Sequence, residues 1–138
     1  MPLERENYVR LALALAVVLA PAPPLVLLDE PTRGLDYAAK ARLAATLRSV
    51  AAEGRIVLLA THDVEFAASV ADRLVVLAEG EIVADGPARE LLTASPAFAP
   101  QVARILSPGP WLTVSDVASA LASASATAVG PATPAGAP

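Results

Sequence analysis

Two adjacent carboxylates, Asp29 and Glu30, follow a run of four apolar residues at positions 25–28. Such a run predicts a strand buried on both faces, as in parallel sheets. The two acids then lie at the carboxyl edge of the sheet, where open α/β sheets bind their ligands. A magnesium nucleotide would use both, one for the water shell of the metal and one for an attacking water. Taken alone, the pair is weak evidence, because a solvated turn or a helix cap would explain it more often.

A second polar group, Thr61-His62-Asp63, follows the apolar run 56–60. His62 taken without its neighbours would more often be an ordinary residue at the end of a strand. Asp63 can cap a helix that begins at Val64, and Asp36 can cap another that begins at Tyr37. Residues 61–63 therefore end the second predicted strand, as Asp29 and Glu30 end the first.

The elements that must position these residues alternate along the chain. Residues 5–20 favour a helix by composition, although Leu11, Leu13 and Leu15 alternate in a way that suits a strand. The remaining predicted elements are a strand at 25–28, a helix at 37–52, a strand at 56–60, a helix at 64–71, strands at 74–78 and 81–84, and a helix at 87–92. This order predicts an α/β fold, with a parallel sheet of strands 25–28, 56–60 and 74–78, crossover helices and a terminal hairpin.

The apolar stretch Leu11 to Leu28 has roughly the length of a membrane-spanning helix. Its prolines argue against one continuous helix, so it is better divided into a helix through Ala20 and a strand from Leu25. A signal peptide cleaved after Ala22 is an alternative, which would make this a secreted protein. The segment before it carries as many acids as bases, which disfavours that alternative.

Composition limits the classes of site that the chain can hold. Ten basic residues against fourteen acidic ones give a net charge of −4, which argues against a nucleic-acid partner. The absence of cysteine excludes disulfides and thiolate metal sites, and a single histidine excludes a histidine-rich one. Composition and pattern together indicate an intracellular α/β protein.

The C-terminal third of the chain differs in composition from the rest. Two short helices are predicted at 97–106 and 113–121, within a helical extension that covers 95–121. Residues 122–138 consist of alanine, serine, threonine, proline and glycine with a single valine. This composition predicts a disordered tail. The domain proper is therefore expected at 1–94.

The run from Leu25 to Asp36, LVLLDEPTRGLD, resembles the Walker B motif and D-loop of ABC-transporter ATPases almost residue for residue. Ala60-Thr61-His62-Asp63 resembles the His switch of the same family. The resemblance covers residues 10–92 and implies the C-terminal portion of a P-loop NTPase domain. It also implies ATP and Mg²⁺ as cofactors.

The same resemblance implies a role for each polar residue. Asp29 would hold magnesium through water, Glu30 would act on the hydrolytic water, and His62 would contact the γ-phosphate. Asp36 would belong to the loop that communicates with the site of the opposing subunit, in addition to its role as a helix cap.

Two motifs of the family have no counterpart in the sequence. No G-x-x-x-x-G-K-[ST] loop, the Walker A motif, occurs, and Leu3-Glu4-Arg5-Glu6 stands where the Leu-Ser-Gly-Gly signature would be. In the family, the strand that leads to the Walker A loop lies beside the strand that leads to His62. The sheet is therefore expected to be incomplete beside 56–60, as in a fragment or a mis-started gene, and the isolated chain is expected to be an inactive ATPase.

Within the family, residues 31–40 resemble the ATPases of energy-coupling-factor transporters, which import vitamins and metal ions. Residues 95–102 and 110–113 look like the second half of their fused two-domain forms. The implied partners are a second ATPase domain or the missing N-terminal half, and an integral membrane subunit. The implied location is the cytoplasm, peripheral to the inner face of the cell membrane. A non-catalytic remnant or binding module is the alternative function.

Overall fold

The computed structural model describes residues 2–94, 99–107 and 109–128. Its elements, in chain order, are α1 (Pro2–Leu19), β1 (Leu25–Asp29), α2 (Tyr37–Ala52), β2 (Ile56–Ala60), α3 (Val64–Val70), β3 (Arg73–Ala78), β4 (Glu81–Pro87), α4 (Ala88–Ala94), α5 (Gln101–Ile105) and α6 (Val114–Ala128). The predicted α/β class is confirmed.

The apolar stretch from Leu11 to Leu28 is divided as predicted. Its first part is the end of α1, in which Leu11, Leu15 and Leu19 recur every fourth residue and pack into the core. This helical spacing decides between helix and strand for the alternating leucines, and Leu13 is left exposed. The chain turns at residues 20–24 and enters β1 at Leu25. Among the described helices, none is both long and apolar enough to cross a membrane.

Helix α2 has the predicted bounds and the predicted start. Asp36 is its N-cap, because Oδ1 accepts a hydrogen bond from the backbone N–H of Ala39 at 2.6 Å. Just beyond its end, Gly54 adopts a φ of +83°, which a residue with a side chain would adopt only at a cost. Leu43 and Leu47 lie on the buried face of the helix, as the sequence predicts.

The strands form two separate pairs. Strands β1 and β2 are parallel and in register from Leu25 opposite Ile56 to Asp29 opposite Ala60. Strands β3 and β4 form an antiparallel hairpin with a bulge between Val76 and Leu77. The prediction that 74–78 belongs to the parallel sheet is therefore wrong in this detail, because β3 pairs only with β4. No described strand joins β2 to β3, so the sheet is incomplete, as expected.

The two faces of the β1–β2 pair differ in what covers them. One face contacts the main core, where α1, α2 and α3 meet, and that core contains Leu15, Leu43, Ala44, Leu47 and Phe66. The opposite face exposes four aliphatic side chains, and Leu27 on it is 64% exposed. These four residues, which we call the bare face, are Leu25, Leu27, Ile56 and Leu58. Parallel pairs are ordinarily covered on both faces, so half of the usual cover is lacking here.

The C-terminal segment packs against α4 through a second, smaller core. Leu112 is buried against Ala88 and Leu92. Glu65 in α3 accepts a hydrogen bond from the backbone N–H of Gln101 at 2.6 Å. The described helices within the predicted extension are α5 and α6, and α5 is shorter than the predicted helix 97–106, whose residues 97 and 98 lie outside the described part.

The predicted disordered tail begins too early. Helix α6 continues to Ala128, seven residues past the predicted end of the extension, because alanine has the highest helix propensity of all residues. The rest of the predicted tail, 129–138, lies outside the described residues.

Candidate functional site

The parallel register of β1 and β2 brings the two polar groups together. Because Asp29 lies opposite Ala60, residues 29–30 and 61–63 leave the pair side by side at its carboxyl edge. The backbone N–H of Glu30 donates to the carbonyl oxygen of Ala60 at 2.8 Å, which continues the ladder by one bond. Both polar groups therefore lie at one edge of the parallel pair.

The backbone of Glu30 has an uncommon conformation. Its φ is +45°, in the left-handed region, which costs a residue with a side chain roughly 1–2 kcal/mol. Residues in this region persist only where surrounding contacts hold them. Here the backbone bond to Ala60 is joined by contacts of the side chain, which reaches across to the loop at 61–62.

Three donors of that loop surround the Glu30 carboxylate. Oε1 lies 2.8 Å from Nδ1 of His62 and accepts the backbone N–H of the same residue at 3.0 Å. The Thr61 hydroxyl donates more weakly to Oε2, at 3.4 Å. The hydrogen bond from the His62 side chain is the main cause of the lowered pKa of Glu30, and partial desolvation opposes it. Glu30 is therefore held as a carboxylate.

The two side chains of this contact differ in exposure. That of Glu30 is 34% exposed and that of His62 is 86% exposed. The imidazole therefore extends from the carboxyl edge into solvent while Nδ1 stays on Glu30. A carboxylate only accepts hydrogen bonds, so Nδ1 carries a proton in this contact, and Nε2 faces outward.

Asp29 is exposed at the end of β1. Its carboxylate receives no hydrogen bond from another described residue, so both oxygens are open to solvent. Magnesium in proteins keeps several waters and takes one or two carboxylates besides phosphate oxygens. Asp29 fits that use. A complete metal cage is not present, since the described residues contain no group of three or more potential ligand side chains.

Asp36 does not join this cluster. Its carboxylate is directed to the first turn of α2, where it caps the helix as predicted. Between Glu30 and Asp36 the chain reverses direction through Gly34, whose φ is +74°. The side chain of Asn7 in α1 donates to the carbonyl oxygen of Gly34 at 3.3 Å, so α1 also contacts this segment.

Lys40 is the residue that sequence reasoning missed. Its Nζ lies 2.6 Å from Oδ2 of Asp63, the residue that follows His62. The other oxygen of Asp63 caps α3 by accepting the backbone N–H of Phe66 at 3.0 Å. Lys40 and Asp63 are 23 positions apart, and no local pattern links them; only the folding of α2 beside the loop does.

The pKa of Asp63 reflects these contacts. Burial by itself would raise the pKa, but the hydrogen bonds from Lys40 and Phe66, with a smaller one from Thr32, lower it below its usual value. Asp63 is therefore ionised in the fold.

A cleft of about 400 Å³ lies between the 32–35 segment and the 62–63 loop. Its lining residues are Thr32, Arg33, Gly34, Leu35, Lys40, His62 and Asp63. The exposed imidazole of His62 therefore borders a depression that also contains the guanidinium of Arg33, whereas Lys40 in the same lining is paired with Asp63. This arrangement suits a ligand with anionic oxygens.

Comparison with known proteins is consistent with this geometry. Residues 9–68 match the family model described as "AAA domain, putative AbiEii toxin, Type IV TA system". That span includes β1, α2, β2 and the whole carboxyl edge. The match agrees with the predicted P-loop NTPase fold class.

Individual relatives carry a more specific name. A "Putative ABC transporter ATP-binding protein" of Streptomyces coelicolor is 66% identical over 112 residues, which is 81% of this chain and 20% of the relative. Proteins with the same description in Clostridium tetani and Methanopyrus kandleri are 37% identical over 92 residues and 44% identical over 81 residues. These matches cover 67% and 58% of this chain, and 21% and 30% of those relatives.

The chain thus spans about a fifth of the length of the Streptomyces relatives that it matches. Over most of its own length it is similar to one segment of proteins named as ABC transporter ATP-binding proteins.

Proposed function

We propose that this chain supplies one part of an ATP-hydrolysing site in an ABC-type transporter ATPase, with ATP and Mg²⁺ as cofactors. The observation that carries the proposal is the contact between Glu30 and His62 at a carboxyl edge that Asp29 shares. The names of the relatives support it independently.

Asp29 is the proposed magnesium residue, acting through a metal-bound water. Its exposure and its free carboxylate oxygens suit this role, because magnesium dehydrates reluctantly and is often held through its water shell. Magnesium held there would supply positive charge to neutralise the phosphates.

Glu30 is the proposed residue for the hydrolytic water. Oε1 is occupied by the two donors of His62, whereas Oε2 receives only the long bond from Thr61. Oε2 therefore retains acceptor capacity for a water molecule. The lowered pKa keeps the group ionised, as an acceptor must be.

His62 is the proposed contact for the γ-phosphate. With the Nδ1 proton directed to Glu30, only the doubly protonated ring would present an N–H at Nε2 to a phosphate oxygen. The hydrogen bond between Glu30 and His62 would thus position both residues. It fixes the imidazole at Nδ1 and leaves Nε2 for the ligand.

The phosphate cradle must come from elsewhere. The chain has no glycine-rich loop with a lysine, and residues present at the edge cannot replace its row of backbone N–H donors. The unjoined strands β2 and β3 and the bare face support the idea that a further polypeptide segment completes the domain. Another part of a longer protein, or a second chain, would supply it.

Partners and location follow from the proposed class. Asp36 would take part in communication with a second ATPase domain, and an integral membrane subunit would hold the assembly at the inner face of the cell membrane. Within the class, the resemblance of residues 31–40 favours an importer of the energy-coupling-factor type.

The test is nucleotide-dependent stability with a companion polypeptide that carries a glycine-rich phosphate loop and a Leu-Ser-Gly-Gly stretch. Binding to the folded state alone raises stability by about 2.7 kcal/mol at a hundredfold excess of ligand over Kd. The melting temperature should rise with Mg-ATP when both pieces are present, and stay unchanged for the 138-residue chain alone.

Glu30→Gln and its matched control Glu79→Gln should both keep this rise in melting temperature. Glu79 is a suitable control because it also has a positive φ but lies in the β3–β4 turn, away from the edge. If the two pieces associate and Mg-ATP still fails to raise the melting temperature, the chain is a non-catalytic binding module instead.

A further inference from the structure

The loop that carries His62 is fixed on both sides. On one side, the Glu30 carboxylate accepts hydrogen bonds from the backbone N–H and the ring of His62. On the other side, the Asp63 carboxylate forms an ion pair with Lys40 in α2 and caps α3. The Thr61 hydroxyl accepts the backbone N–H of Asp63 at 3.0 Å, which closes the loop on itself.

The Lys40–Asp63 ion pair differs from the others in burial. The side chain of Lys40 is 35% exposed and that of Asp63 is 14% exposed. In every other ion pair among the described residues, at least one side chain is more than half exposed. Water therefore competes less for this pair, and the position of Asp63 depends on it more.

Lys40 lies one turn into α2, and its backbone N–H bonds to the carbonyl oxygen of Asp36. The first turn of α2 is thus joined to the segment 32–36 at one end and to Asp63 at the other. Lys40 therefore contacts both the N-cap residue of α2 and the loop that carries His62.

We propose that Lys40 is a positioning residue, which couples the start of α2 to the loop that carries His62. This inference rests on the proposed function for its meaning in hydrolysis, but the coupling itself is a property of the fold. Lys40 touches neither the reacting atoms nor Glu30; it acts through Asp63.

The experiment uses the only histidine of the chain as its probe. Proton NMR of the 138-residue chain gives one pair of imidazole C–H signals, both from His62. Lys40→Met should displace these signals beyond their linewidth at constant pH and temperature. Lys40→Arg, which keeps a charged N–H donor, should return them towards their parent positions.

Arg73→Met is the matched control. It removes an ion pair of similar length, 2.8 Å to Asp85, in the hairpin formed by β3 and β4. General destabilisation would move the His62 signals in both variants, whereas coupling predicts movement in Lys40→Met alone. If Lys40→Met unfolds the chain, Lys40→Gln is measured in its place.

Unmoved His62 signals in the folded Lys40 variant, or equal movement in Arg73→Met, would overturn the inference. The NMR samples contain no nucleotide, so this result does not depend on whether the proposed function is correct. A chain that never binds Mg-ATP would refute that function and still show whether Lys40 positions the loop.

Discussion

His62 Nδ1 and Glu30 Oε1 lie 2.8 Å apart, although 32 positions separate the two residues in the chain. The contact exists because β1 and β2 are parallel and in register, so both strands deliver their next residues to one edge. A shift of one residue in this register would direct the alternating side chains to the other face. The register of two short aliphatic strands therefore determines the chemistry of the edge.

Glycine at position 30 should have an effect opposite to that of glycine at position 79. Both residues have positive φ, at +45° and +52°, so glycine relieves backbone strain at each. Glu79→Gly should stabilise the fold by about 1 kcal/mol. Glu30→Gly should lower the melting temperature, because it also removes the acceptor of His62 and Thr61. Urea unfolding of both variants checks this, and a stabilised Glu30→Gly would show that the contact is weak.

Acid should remove the contribution of Asp63 to stability. Its pKa is lower in the fold than in the unfolded chain, where it is about 3.9. The stabilisation is therefore present above pH 3.9 and lost as pH falls through the folded pKa. Unfolding free energies at pH 7 and pH 3 should differ less in Asp63→Asn than in the parent chain. An identical difference in both proteins would contradict the assignment.

The ion pair between Lys40 and Asp63 should contribute measurably to stability. A double-mutant cycle of Lys40→Met and Asp63→Asn is expected to give a coupling of about 1 kcal/mol, at the upper end of the range for exposed pairs, because this one is partly buried. Urea unfolding at pH 7 measures it. A coupling indistinguishable from zero would mean that the two residues are held in place by other contacts.

The bare face should cause the isolated chain to associate. Its four aliphatic side chains form adjacent rows across the pair, with Leu25 opposite Ile56 and Leu27 opposite Leu58. Apolar surfaces of this kind mark sites of contact or aggregation. Sedimentation should show self-association that the double substitution Leu27→Lys and Leu58→Lys reduces, while the helical circular dichroism is retained. A strictly monomeric parent chain would count against this prediction.

The C-terminal segment should be a stabilising part of the fold. Leu112→Ala removes a side chain that is buried against Ala88 and Leu92, and should cost about 3 kcal/mol. Ile105→Ala is the matched control, because Ile105 in the neighbouring α5 is 78% exposed. Thermal unfolding of both variants checks this. Equal, small effects would mean that the segment is only loosely attached.

Local patterns made the secondary structure predictable. The bounds of α2 and β2 follow from a capping aspartate, a terminating glycine and short aliphatic runs, all of which act over a few residues. The meeting of Asp29 and Glu30 with the His62 loop was also predictable, since parallel strands share an edge. Alternation alone could not decide the conformation of α1, which the packing of Leu15 against α2 determines.

Other features depend on contacts that no local pattern encodes. The pairing of Lys40 with Asp63 and the left-handed backbone of Glu30 arise only when α2, β1 and β2 come together. Strand β3 is hydrogen-bonded to β4 and not to the parallel pair. The pattern of apolar residues within a strand does not specify which strand it pairs with. Helix α6 extended past Ala122 because propensity, which favours alanine, outweighed the low content of large apolar residues.

The most direct test of the proposed hydrolytic site is magnesium-dependent phosphate release. It compares the parent chain with Glu30→Gln, His62→Ala and the control Glu79→Gln, each combined with the companion polypeptide that carries the phosphate loop. We expect turnover in the parent complex and in Glu79→Gln, none in Glu30→Gln and reduced turnover in His62→Ala, with Mg-ATP binding retained in all four. The chain alone should release no phosphate above its Glu30→Gln variant. Parent rates in both Glu30→Gln and His62→Ala would contradict the account.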